Sequence, residues 1–175
     1  SSHSFGGSPI SQYGVFPKPF GYFGGGNSPG PTIYSTVDRI DYSNDTQTAS
    51  TRGPLSLARY NLAATGNSNF GYFGGGQPGA RSTVDRVDYT NDTSTASVRG
   101  PLSLARYTLG ATGNSSFGYF VGGYPGAVST VDRIDYSNDN ATASVRGPLT
   151  RTAWYSKATG NSNFGYIGSV KFSFF

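Results

Sequence analysis

The chain has 175 residues, with no cysteine, no methionine and no glutamate, and a single histidine and a single tryptophan. Without cysteine neither a disulfide framework nor a thiolate metal site can form, so stability has to come from packing and backbone pairing. His3 stands in a Ser/Gly-rich stretch, which excludes an ordered Ser-His-Asp relay. The formal charge is +4 and its excess is scattered over residues such as Lys18, Arg81, Arg151, Lys157 and Lys171. Nucleic-acid recognition needs clustered cations, and no basic run exists, so no nucleic-acid partner is expected. Glycine and serine interrupt every apolar run well short of the roughly 18 residues a membrane helix needs, so no membrane span is expected and a soluble chain is. Ser1 opens the sequence without a charged-then-apolar pattern, which leads us to expect that any leader has been removed or was never there.

What remains is a vocabulary of strands and turns: 26 glycines, 10 prolines, 13 tyrosines and 12 phenylalanines. Aromatic side chains suit a pleated, half-buried surface, while glycine and proline punctuate it. All nine carboxylates fall in one phrase, "STVDRIDYSND" or a close variant, as Asp38, Asp41, Asp45, Asp85, Asp88, Asp92, Asp132, Asp135 and Asp139. The serine that opens it stands at 35, 82 and 129, a constant step of 47 residues. A fixed period of this length decides architecture before local structure does. "RGPLSLARY" at 52 and 99 decays to "RGPLTRTAW" at 146, and "ATGNSNF", "ATGNSSF" and "ATGNSNF" follow at 64, 111 and 158.

Each unit divides into four short segments bounded by turn chemistry, the pattern of consecutive antiparallel strands. In the second unit these are "RYNLAAT" (59–65), "FGYFGG" (70–75), "STVDRVDY" (82–89) and "STASVRG" (94–100), which leaves no room for a helix. One such sheet buries its faces poorly, so copies must stack. The expectation is an all-β, propeller-like array of four-stranded antiparallel blades with a 47-residue repeat, blades beginning near 10, 59, 106 and 152. Residues 1–9 form an N-terminal segment, 10–168 the repeat domain with units at about 24–70, 71–117 and 118–164, and 169–175 a C-terminal pairing strand. The opening blade starts with "ISQYGVF", and the closing one runs through "AWYSKAT", "NFGYI" and "VKFSFF".

The order of an Arg-led strand, a strand ending in a double glycine, a strand "STVDRIDYSNDT" and a short fourth strand resembles the kelch repeat of β-propellers. It departs from that pattern in the fourth strand, where "TASTRG" and "TASVRG" lack the usual tryptophan. The wording of "GYFGGG" and "ATGNSNFGYFGGG" also resembles repeat segments in virion structural and tail-fibre proteins of bacteriophages, marine and cyanobacterial ones above all.

Asp and Asn favour turns because their side chains bond nearby amides, so Asn44-Asp45, Asn91-Asp92 and Asn138-Asp139 are expected to set the hairpin between third and fourth strands. A calcium loop would need converging oxygen ligands and a tight glycine turn, which these lack, and no metal is expected. The arginines Arg39, Arg52 and Arg59 and their counterparts read as ties between blades, with a repeated site for a sulfated or phosphorylated glycan as the alternative. The glycines of "FGYFGGG" open onto no helix, so they are assigned to close strand approach rather than to a nucleotide, and no cofactor is expected.

An active site is one asymmetric arrangement, whereas these carboxylates recur in every unit, so no catalytic residue is assigned and a polysaccharide depolymerase is the weakest reading. Function is expected where units differ. The loops after the second strand, "GGGNSPGPTIYS", "GGGQPGARS" and "GGYPGAVS", put Asn27, Tyr34, Gln77, Arg81 and Tyr124 forward as binding candidates. The phage resemblance implies a non-enzymatic structural or adhesive module of a virion, in a tail or fibre, with self-assembly or other virion proteins as partners and host-surface polysaccharide as the ligand. The alternative is a bacterial cell-surface or extracellular-filament protein joined through its terminal strands.

Overall fold

The computed structural model describes residues 20–126 and 128–168. These residues form thirteen strands in four antiparallel sheets. The first sheet is β1 (Phe20–Gly24), β2 (Val37–Asp41) and β3 (Ser50–Arg52). The second is β4 (Ala63–Gly66), β5 (Phe70–Gly74), β6 (Val84–Asp88) and β7 (Ser97–Arg99). The third is β8 (Gly110–Gly113), β9 (Phe117–Val121), β10 (Val131–Asp135) and β11 (Ser144–Arg146). The fourth is β12 (Lys157–Gly160) with β13 (Gly165–Gly168). Strands neighbour one another in chain order throughout, as the four-segment reading of each unit predicts. The expected opening strand at 10–16, His3 and the expected pairing strand at 169–175 lie outside the described residues. No helix among the described residues is long and apolar enough to cross a membrane.

The structure differs locally from the sequence reading in two places. The Arg-led strand expected at 59–65 begins only at Ala63, because Asn61 takes a left-handed conformation (φ +55°) that breaks an extended run. In the third unit a single 3-10 turn, Tyr136–Asn138, occupies the hairpin between β10 and β11.

The sheets pack face to face, and alternation along each strand sends neighbouring residues to opposite sheets. In β5, Phe73 joins Val37, Leu55, Val87 and Ala96 between the first and second sheets. Tyr72, one residue earlier, joins Val84, Leu102, Phe120 and Ile134 between the second and third. Each contact needs a glycine: a Cβ at Gly24 would lie 2.8 Å from the Phe73 ring, and one at Gly74 2.6 Å from the Phe120 ring. The third unit has Val121 in that place, and there the following sheet offers Ile167 instead of phenylalanine. At the third junction valine and isoleucine replace glycine and phenylalanine, and both line a cavity of about 220 Å3 there.

The expected turn role of the Asn-Asp pairs needs correcting. The turn is set by the earlier aspartate: Asp41 Oδ1 accepts from the Ser43 amide at 2.9 Å, Asp88 from Thr90 at 2.8 Å and Asp135 from Ser137 at 2.9 Å. Asp92 and Asp139 are buried instead, and hold one sheet to the one before it. Asp92 accepts from the Tyr22 hydroxyl at 2.9 Å and from Arg39 at 2.8 Å, with Arg52 Nε at 3.6 Å. Asp139 repeats this with Tyr72 at 2.8 Å, Arg86 at 2.8 Å and Arg99 Nε at 3.7 Å. Asp45 lies exposed on the first sheet.

The arginines therefore divide into two kinds. Arg39, Arg52, Arg86 and Arg99 tie sheets together, as expected. Arg59 and Arg106 act within their own units: Arg59 is fully buried and donates to the carbonyls of Gly75 (2.6 Å) and Thr83 (3.0 Å) and to Asp85 (2.7 Å). Ser56 completes the shell around Asp85 through its amide at 3.1 Å and its hydroxyl at 2.6 Å. Burial pulls the Arg59 and Arg106 guanidiniums below the usual arginine range, and the partner aspartates Asp85 and Asp132 pull the other way. In the last unit the matching position is Ala153, and none of residues 154–175 is acidic.

Candidate ligand-binding site

The loops after β1, β5 and β9 meet the segments that lead into β4, β8 and β12. Tyr60 and Gln77 form a two-residue antiparallel bridge, as do Tyr107 and Tyr124. Next to these two bridges stand Asn61 and Thr108 in left-handed conformation (φ +55° each), and Tyr155 takes the same conformation in the last unit (φ +51°). The backbone has a reason to turn this way, since the Asn61 carbonyl accepts from the Thr108 amide at 2.8 Å and the Thr108 carbonyl from the Ser156 amide at 3.0 Å, linking unit to unit. The side chains are another matter. Asparagine tolerates positive φ, whereas a β-branched or bulky residue there is a true outlier.

At the junction of third and fourth units the bulky choices converge. Tyr107, Thr108, Tyr124, Trp154 and Tyr155 line a cavity of about 280 Å3. Ring centroids are 5.3 Å apart for Tyr107 and Tyr124, 5.8 Å for Tyr124 and Trp154 and 5.3 Å for Trp154 and Tyr155, all tilted. Tyr124 and Tyr155 remain 38% and 47% exposed, so the cluster is an open surface rather than a core. Desolvation raises the Tyr107 hydroxyl above the usual phenol range, and the neighbouring phenols of Tyr124, Tyr155 and Tyr60 add to it. It stays a neutral donor at any ordinary pH.

Of the five residues that sequence reasoning put forward, only Tyr124 lies in this cleft. Gln77 sits at the equivalent junction one unit earlier, where its side-chain oxygen accepts from Asn61 at 3.1 Å. Exposed Arg81 bends back to the Pro78 carbonyl at 3.0 Å. Asn27 bridges to Ile33 within the longer first loop, and Tyr34, 42% exposed, gives its amide to Gly26 at 2.9 Å. The structure does not bring these four together with Tyr124. Sequence reasoning missed Tyr107, Thr108, Trp154 and Tyr155 as a site, although a signal was present: the positions read Tyr-Asn, Tyr-Thr and Trp-Tyr in successive units. Among the described residues no group of three His, Cys, Asp or Glu side chains could hold a metal ion.

No family model matches the chain, and no curated protein does. Solved structures do, 140 chains in all, among them one titled "Structure of YjhT". It superposes with a TM-score of 0.59 at 16% identity, over 73% of this chain and 42% of that one. The likeness is one of fold, and the chain spans less than half the length of that protein.

Proposed function

We propose that the chain is a non-enzymatic adhesive and structural module of a phage particle, a tail or fibre component whose sheets are successive blades of a propeller-like array and whose loop face binds host-surface glycans. The observation that carries this reading is the open cleft of Tyr107, Tyr124, Trp154 and Tyr155. Sugar rings present a face of C–H groups and a rim of hydroxyls, and they are held by flat aromatic faces with polar tips at the edge, which three tyrosines and a tryptophan supply. The cleft also lies where the repeats diverge, on a scaffold that does not. The propeller part of the reading is supported by face-to-face packing of consecutive sheets and by the fold likeness at a TM-score of 0.59. The virion part is supported by the phage-like wording of the repeats.

Retention on immobilised host capsular polysaccharide tests the glycan reading. The chain should be retained, and Trp154→Ala and Tyr124→Ala should each weaken retention at least about tenfold while the melting temperature stays near its original value. Retention that both variants share with the parent chain would overturn it. Immunogold labelling of purified particles tests the virion assignment, which fails if label stays on cell debris.

A further inference from the structure

The junction between one sheet and the next is built twice in the same way, and the third sheet carries the first half of a third. In the two complete junctions a tyrosine and two arginines converge on one aspartate: Tyr22, Arg39 and Arg52 on Asp92, then Tyr72, Arg86 and Arg99 on Asp139. The amide of the glycine after the second arginine seals the turn, Gly53 to the Asp92 carbonyl and Gly100 to the Asp139 carbonyl, both at 2.8 Å. Each tyrosine also stacks on a tyrosine of the incoming hairpin, Tyr22 on Tyr89 at 4.6 Å and Tyr72 on Tyr136 at 4.7 Å.

On the third sheet the same group reads Tyr119, Arg133, Arg146 and Gly147. Tyr119 pairs with Arg133 across β9 and β10, and Val131 pairs with Arg146 across β10 and β11, so the three side chains share one face. Arg133 is already aimed, its guanidinium 4.2 Å over the Phe117 ring, as Arg39 lies 4.1 Å over Phe20 and Arg86 4.2 Å over Phe70. The second half of the junction is what differs. A Cβ at Gly53 or Gly100 would collide with a carbonyl of the next sheet, while one at Gly147 meets nothing within 4 Å. Val37 and Val84 are sealed at 0% exposure, whereas their counterpart Val131 is only half-buried.

Among the described residues no carboxylate reaches Arg133 or Arg146. Residues 169–175, which follow β13, contain no aspartate and so cannot supply the missing side chain. The fourth sheet covers only part of this face. Beside it a cavity of about 220 Å3 runs between Tyr119, Val121 and Val131 on one side and Ile167 on the other. Among the described residues β13 pairs with β12 alone.

We propose that this face is a docking site for a β-hairpin with an Asn-Asp turn, of the kind formed by the third and fourth strands of each unit, on a protein partner. The turn aspartate would take the hydroxyl of Tyr119 and the guanidiniums of Arg133 and Arg146, and its carbonyl would take the Gly147 amide. The two complete junctions supply both the charge complementarity and the shape.

The test uses a fluorescent peptide of residues 82–99, "STVDRVDYTNDTSTASVR", titrated with the full chain and followed by anisotropy. Saturable binding is expected, and an Asp92→Asn peptide should bind about tenfold or more weakly, a comparison that leaves the folded chain untouched. Arg133→Met in the chain should weaken the parent peptide by a similar factor. Absence of saturable binding overturns the proposal, and so does equal affinity of the two peptides, which would mean edge pairing without the clamp. Binding of oligogalacturonate in place of the peptide, lost in Arg133→Met, would make this a sugar-acid site and also overturn it. None of these outcomes depends on the cleft at Trp154, so the glycan reading stands or falls separately.

Discussion

Tyr22 on the first sheet donates its hydroxyl to Asp92 on the second at 2.9 Å, although the two residues are 70 apart in the chain. Arg39 meets the same carboxylate oxygen at 2.8 Å, and the aspartate side chain is only 9% exposed. A carboxylate held this way is a structural anchor, and removing it leaves an arginine facing a poorly hydrated gap. Asp92→Ala and Asp139→Ala should each destabilise the chain by about 3–5 kcal/mol in urea unfolding, well above the ~1 kcal/mol of an ordinary turn residue. Chelator should leave the melting temperature where it is. A loss under 1 kcal/mol would remove the anchor role.

The left-handed backbone at Tyr155 makes a second expectation. A bulky residue there costs on the order of 1–2 kcal/mol relative to one that tolerates positive φ. Tyr155→Asn should therefore raise stability by about 1 kcal/mol while lowering glycan retention. If the variant loses stability, the tyrosine is packed into the fold and the cleft is not its reason.

Alkaline and acid pH should each loosen the fold, through different side chains. Burial pushes the hydroxyls of Tyr22 and Tyr136 up to about 12, and raises those of Tyr72 and Tyr89 as well. Their folded form is the protonated one, so its stabilisation is whole below the unfolded value near 10 and is lost as pH climbs from about 10 to 12. Asp41, Asp88 and Asp135 shift the other way, lowered chiefly by the hydroxyls of Ser43, Thr90 and Ser137. Their stabilisation is present above the usual aspartate value and fades as pH falls below about 4. Urea midpoints across pH 3 to 12 should be flat in the middle and fall at both ends.

The glycine and phenylalanine at each junction should behave as one object. Gly74→Val places carbon against the Phe120 ring and should cost about 1–3 kcal/mol by overpacking. Adding Phe120→Ile should restore part of that loss, because valine with isoleucine is the combination at Val121 and Ile167. A double-mutant cycle without coupling would mean that the two positions pack independently.

Much of this architecture is legible in the sequence, and the remainder is hidden for identifiable reasons. The period, the four strands of a unit and the hairpin positions follow from local turn chemistry. The exchange of roles between Asp88 and Asp92 does not, because both sit beside the same turn and only the distant Tyr22, Arg39 and Arg52 decide which is drawn out of it. Arg59 leads an apparent strand, yet a left-handed residue two places on ends the extended run. The cleft was obscured because its side chains come from two linker segments and one loop, and the substitutions that form it look like decay of a terminal repeat. Tyr124 was legible because a loop that varies on a constant scaffold announces itself.

Sheet follows sheet through the same buried clamp, which gives the array a mechanical character. A chain pulled from its two ends carries the load in series, with each anchor at Asp92 or Asp139 bearing it in turn. A unit that yields would release its 47 residues as slack, roughly 160 Å of extended chain, before the next is strained. Extension would proceed in equal steps, so a sudden tug would be spread over several small ruptures instead of falling on one attachment point.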